Sequence, residues 1–203
     1  MEFDEIMDKL SMHQSYAKDN YVPIIRPQSA KFLYEFIREN NIKSVLEIGT
    51  ALGFSGSIML ASGIEFLKTI DINENYQKIA KETFEKFGYG SCVEMICEDA
   101  KLVLPRLIEN TEKYDMIFLD GAKGQYINYL PMLVKLLGNK GVIFADNVML
   151  QGMVESQEKI PHRKRTMVVN LRKYLSRVQE KDFETKLVRI EDGIALSKYI
   201  GGN

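Results

Sequence analysis

The chain has 203 residues, 45% hydrophobic and 27% charged, which reads as a soluble globular protein with enough length for one α/β core. No run approaches the roughly 18 apolar residues of a membrane span, and the opening MEFDEIMDKL is acidic where a signal peptide is basic and then apolar, so a cytoplasmic protein is expected. A formal net charge of -1 argues against a generally basic nucleic-acid binder, yet seven basic residues and no acidic one lie between Lys159 and Arg177, a local patch able to meet a polyanion.

The stretch up to about Asp19 is amphipathic and predicts a helix, and YVPIIRP over 21–27, with two prolines, predicts an extended loop. Phe32, Leu33, Phe36 and Ile37 have helical spacing and predict a helix over 29–40. The pattern then alternates. Strands are predicted over 44–48, 66–72, 93–96, 114–119 and 142–145. Between them come a glycine turn with a helix through Met59–Ala61, then helices over 74–87, near 102–108 and over 126–137, two of them closed by Gly88 and Gly138. A helix over 165–177 precedes two strands, 185–190 and 194–198, joined by Glu191-Asp192-Gly193. With no repeat, low-complexity tract or linker, residues 1–203 are expected to form a single domain. Its fold is expected to be a doubly wound, mostly parallel sheet of seven strands closed by an antiparallel hairpin, preceded by extra N-terminal helices.

In such sheets the ligand sits at the carboxyl ends of the strands, where this sequence is unusual. The first strand runs out through Glu47, Ile48 and Gly49 to Gly53 and Ser55, a GxxxG turn and not the GxGxxG of dinucleotide binders. The second ends at Asp71, 22 positions beyond Gly49, where an acid can accept bonds from both ribose hydroxyls. The third runs into Glu98-Asp99-Ala100, where a carboxylate can receive an adenine amino group and the small Ala100 leaves room for the ring. Each acid alone reads better as a helix N-cap or a solvated loop charge; the agreement of three strand ends points to a nucleoside-bearing ligand.

The fourth strand ends in Asp120, followed by Lys123, and the fifth in Asp146-Asn147. The two aspartates are 26 residues apart, one strand-helix-strand step, so adjacent strands can bring them together. Two carboxylates and an amide oxygen suit Mg²⁺ better than zinc. Cys92 and Cys97 match neither a redox nor a zinc spacing and are expected to be core or near-core residues.

The segments LEIGTALGFS, TIDIN, EDA, FLDGAKGQY and FADNV follow in order. In order and spacing the chain, from about Pro23 to Lys198, resembles the metal-dependent class I O-methyltransferases related to catechol and caffeoyl-CoA methyltransferases, a Rossmann-like family. The resemblance implies S-adenosylmethionine as methyl donor and Mg²⁺, or another divalent cation such as Mn²⁺ or Ca²⁺. It makes Asp120, Asp146 and Asn147 the metal ligands and Lys123, with Asp120, the catalytic pair. Together with the strand-end residues, the candidate cofactor set is Ile25, Glu47, Gly49, Ser55, Asp71, Asp99, Ala100 and Asp120. Asp71 stands where many relatives carry Glu, and Gly121 where many carry a larger small residue.

Two adjacent oxygens on a flat ring chelate such a metal best, as in catechols or 5-hydroxyuridine. Gln151-Gly152-Met153-Val154, the basic opening His162-Arg163-Lys164-Arg165-Thr166 and Glu191-Asp192-Gly193-Ile194 resemble the bacterial tRNA 5-hydroxyuridine methyltransferase branch. That likeness implies 5-methoxyuridine formation at the tRNA wobble position, with Arg163, Lys164 and Arg165 on the anticodon loop and Tyr126, Tyr129 and Phe54 as candidates for base stacking. The alternative is a small catechol-like or hydroxycinnamoyl-CoA-like substrate, with the basic stretch a solvated helix face. Relatives of this kind are usually dimers, so a homodimer is expected, and residues 1–40 are a candidate dimer contact or active-site cover.

Overall fold

Pro27 at the first helical position, where its missing N–H costs nothing, opens the longest helix of the N-terminal region. The computed structural model describes residues 1–201, which divide after Leu102 into two compact units. The first holds α1 (Phe3–Lys9), α2 (Ser11–Asp19), α3 (Pro27–Glu39), β1 (Ser44–Ile48), α4 (Phe54–Ser62), β2 (Phe66–Asp71), α5 (Glu74–Lys86) and β3 (Val93–Cys97). Its strands pair in parallel in the order β3-β2-β1, Ser44 opposite Phe66 and Leu67 opposite Val93. Every residue of α4 is buried. Such a helix needs neighbours on all sides, and Gly56 is where they come closest: a Cβ there would stand 2.8 Å from Phe84 Cζ and 3.0 Å from Leu67 Cδ2.

Helix α6 (Ala100–Glu109) carries the chain onward. The second unit contains β4 (Tyr114–Leu119), α7 (Tyr126–Leu136), β5 (Leu137–Ala145), α8 (Arg165–Arg177), β6 (Phe183–Val188) and β7 (Ile194–Tyr199). Here β4 and β5 run parallel, while β5–β7 and β7–β6 are antiparallel. The two sets supply the seven strands of a mostly parallel, Rossmann-like sheet with the expected closing hairpin. Among the described residues no helix is long and apolar enough to cross a membrane.

Four local expectations are corrected. The opening segment is two helices, broken at Leu10, which is wholly buried between them. Strand β5 begins at Leu137 and not at Val142: the pairing passes from Tyr114–Leu137 to Met116–Val142 through a bulge. The glycines that read as a terminator are the bulge itself, since a Cβ on Gly138 or Gly141 would stand 3.2 or 3.0 Å from the Tyr114 carbonyl oxygen. Strand β2 stops at Asp71, leaving Ile72 71% exposed. Cys97, at the end of the edge strand β3, is exposed, and Cys92, in the turn before that strand, is only partly buried; both thiols are free.

Candidate active site

The first unit holds all the residues expected to bind a cofactor except Asp120. Gly49 leaves β1 at φ 109° and Gly53 precedes α4 at φ 75°, a region that L side chains rarely adopt. Gly53 is also needed for packing: a Cβ there would lie 3.1 Å from Ala80 Cβ and from Phe84 Cζ. The turn between them is tied to the end of β2, for Ala51 N donates to Asp71 Oδ2 at 2.9 Å and Asn73 N to Asp71 Oδ1 at 2.9 Å. Each carboxylate oxygen keeps a second lone pair, so Asp71 can brace the turn and still accept from a diol.

Glu47 plays a different part from the one expected. It is fully buried, and both its oxygens are engaged, by Ser55 Oγ at 2.5 Å and Thr69 Oγ1 at 2.6 Å. Thr69 gives its proton to Glu47 and so accepts from Thr50 (2.6 Å), which in turn accepts from Gln77 Nε2 (3.2 Å). This buried chain of bonds fixes Ser55 at the start of α4, with Glu47 as its support. Asp99 likewise caps α6: its Oδ1 accepts from Lys101 N at 2.8 Å and its carbonyl from Leu102 N at 2.8 Å. Ala100 is buried behind it, and Ile25 is buried in the loop after α2.

The second unit places the acids. Leu119 of β4 and Ala145 of β5 are register partners, and Asp146 N donates to Leu119 O at 3.0 Å, so Asp120 and Asp146 leave neighbouring strands level with each other. Lys123 Nζ sits 2.9 Å from Asp120 Oδ1, both side chains less than a fifth exposed. Burial raises the Asp120 carboxyl above the ordinary carboxylate value, against the pull of Lys123. Burial and then the charge of Asp120 push Asp146 up to about 7. Asp146 Oδ1 accepts from Asn147 N at 2.8 Å, whereas its Oδ2 is buried without a hydrogen-bond partner.

An unpartnered, buried carboxylate oxygen on a side chain that feels the charge of a second acid is what a divalent cation would relieve. The donor set fits a hard cation. Among the described residues no group of three His, Cys, Asp or Glu side chains could hold a metal; an ion here would draw on Asp120, Asp146 and the Asn147 amide, with water or substrate oxygens completing it, as Mg²⁺ prefers.

Three aromatic residues put forward for base stacking are core instead: Phe54, Tyr126 and Tyr129 are 2%, 0% and 6% exposed. Tyr126 has a role that sequence reasoning missed, since its hydroxyl donates to Leu119 O at 2.9 Å and Asp146 O at 3.4 Å, clamping the two acid-bearing strand ends. The basic stretch divides. Arg172 donates to the carbonyls of Val154, Met153 and Ser156, and Arg177 forms a two-pronged pair with Asp182. Lys159, Arg163, Arg165 and Lys173 stay exposed and outside any ion pair among the described residues, and Lys164 reaches only Gln151 Oε1 at 3.4 Å.

Comparison with known proteins bears on the family and the fold. The model of a family described as O-methyltransferase matches residues 2–200. Caffeoyl-CoA O-methyltransferase 5 of Nicotiana tabacum is 30% identical over 183 residues, 84% of this chain and 74% of that one. A Staphylococcus aureus protein of known structure, provisionally described as a caffeoyl-CoA O-methyltransferase, is 27% identical with a TM-score of 0.82, covering 97% of this chain and 98% of that one. The O-methyltransferase from Bacillus cereus, solved with S-adenosylhomocysteine, shares the fold with a TM-score of 0.82 at 22% identity, over 98% of this chain and 92% of that one.

Proposed function

The chain belongs to the O-methyltransferase family, and from that premise we propose that it moves the methyl group of S-adenosylmethionine onto one of two adjacent oxygens of a planar ring. The observation that carries this reading is the buried, unpartnered Asp146 Oδ2 beside Asp120 and Lys123. Asp120, Asp146 and Asn147 would hold a divalent cation, which when bound lowers the pKa of a hydroxyl and fixes its direction. S-adenosylmethionine supplies a methyl on a sulfonium that already carries its leaving group.

The chain's own residues have three tasks. Asp71, held by Ala51 N and Asn73 N, presents its free lone pairs to the ribose diol. Ser55, fixed by Glu47, offers its hydroxyl at the start of α4. Lys123 Nζ, held 2.9 Å from Asp120 Oδ1, is the group assigned to receive the hydroxyl proton, leaving an oxyanion for in-line attack on the methyl carbon. No covalent enzyme intermediate is needed, and alignment of the reactants is worth on the order of 7–11 kcal/mol.

We read the substrate as a small catechol-like or hydroxycinnamoyl-CoA-like molecule, as the names of the relatives suggest. A second reading, 5-hydroxyuridine at the tRNA wobble position, is favoured by one observation, the run of cations from Lys159 to Lys173 outside any ion pair among the described residues. Methyl transfer from labelled S-adenosylmethionine should be measured on catechol, caffeoyl-CoA and tRNA from a strain accumulating 5-hydroxyuridine. Turnover of the small ortho-diols supports the first reading; label entering only tRNA, with a steeper salt-dependent loss in the Arg163→Ala, Arg165→Ala double variant, replaces it with the second. No transfer to any of the three overturns the proposal.

A further inference from the structure

The turn between β6 and β7 lies far in sequence from the two acids, yet it holds the segment that follows them. Asp192 is 6% exposed, and its carboxylate oxygen Oδ1 accepts from the backbone N of Gln151. Its carbonyl accepts from Met149 N at 2.9 Å, and the Gly193 carbonyl accepts from Val148 N at 3.0 Å. Three backbone N–H groups of residues 148–151 thus end on two consecutive residues of this turn.

That segment needs holding. Asn147, Leu150 and Gln151 have φ of 53°, 47° and 57°, the left-handed region that side chains other than glycine rarely occupy. Such conformations persist where the surroundings over-determine them, and here the three bonds do so. Gly193, at φ 76°, packs directly beneath: a Cβ there would stand 2.4 Å from Met149 Cγ. The turn is a mould against which residues 147–151 are cast.

We propose that Asp192 is a positioning residue for the metal-binding end of β5. Through Gln151 and Met149 it holds the left-handed turn that presents the Asn147 amide beside Asp146. The inference rests on the reading of Asn147 as a metal ligand. Asp192 touches neither metal nor substrate in this account. Its carboxylate acts as a hydrogen-bond acceptor, so a neutral acceptor of the same shape should replace it.

The test is Mn²⁺ affinity of the full chain, read by electron paramagnetic resonance without substrate, for wild type, Asp192→Ala and Asp192→Asn. Asp192→Ala should bind Mn²⁺ at least about tenfold more weakly, with S-adenosylmethionine affinity unchanged by calorimetry, while Asp192→Asn keeps wild-type Mn²⁺ affinity. Wild-type affinity in a folded Asp192→Ala, or equal losses in both variants, overturns the inference while leaving the metal site standing. If wild type itself takes up no Mn²⁺, the metal reading falls and this one with it. Should Asp192→Ala fail to fold, Gly193→Ala gives the second route. It should weaken Mn²⁺ binding by pushing on Met149, and adding Met149→Ala should restore part of it; no weakening overturns the proposal.

Discussion

Replacing Asp146 by asparagine should make the metal-free protein more stable at pH 8 and leave it unable to gain from a divalent cation. Asp146 is wholly buried, and burial with the Asp120 charge lifts its carboxyl from 3.8 to about 7. A carboxyl that holds its proton more tightly when folded costs stability once the unfolded chain has released that proton. The cost therefore grows as pH climbs from about 4 to about 7 and is constant above. The rise of roughly three pKa units, at about 1.4 kcal/mol each, sets a ceiling near 4 kcal/mol. Asparagine keeps the acceptor for Asn147 N at 2.8 Å but puts an amide nitrogen where Oδ2 has no partner, returning about 1–3 kcal/mol. A net gain of about 2 kcal/mol corresponds to a melting temperature about 4–8 °C higher for a chain of this size. Thermal unfolding by circular dichroism, with chelator, should show that gain at pH 8 and none at pH 4. With Mn²⁺ in excess, wild type should rise and the variant stay. An Asp146→Asn protein that melts no higher than wild type at pH 8, or gains equally at both pH values, refutes the reasoning.

Asp71→Ala should weaken S-adenosylmethionine binding about 10–100-fold by calorimetry, through loss of charge-assisted bonds and of the acceptor for Ala51 N and Asn73 N. Lys123→Met should lower turnover about 10²–10⁴-fold with cofactor affinity intact. Equal losses in both would make Lys123 a binding residue. Tyr126→Phe removes the hydroxyl that clamps Leu119 O and Asp146 O, worth about 1 kcal/mol; its melting temperature should fall by about 2–4 °C, and an unchanged value would mean the clamp carries no load.

The helix expected over 165–177 is the observed α8, with Val168, Leu171, Tyr174 and Leu175 buried. The acids at strand ends were legible because a carboxylate directly after an apolar run is conspicuous wherever it falls. What sequence could not convey is which polar atom meets which. Glu47 and Thr69 sit in apolar strands and bond to each other across 22 residues, a pairing that depends on the register of β1 with β2. The Gly138–Gly141 stretch reads as a helix stop because a bulge and a terminator use the same residues. Tyr126 looked like an aromatic wall since nothing local reveals that its hydroxyl reaches two carbonyls of other strands. The turn at Asp192 stood out by likeness, but its acceptor role toward Gln151 appears only when residues 41 positions apart are brought together.

The edge position of β3 has a practical corollary. Cys92 and Cys97 are free, the second is exposed, and Cys97 is the register partner of Asp71 on the adjoining strand, about 4.8 Å away across the ladder. A maleimide dye on Cys97, with Cys92 changed to serine, would sit beside Asp71, the carboxylate proposed to receive the nucleoside. Occupancy could then be followed by fluorescence in real time, on a protein that needs no introduced cysteine.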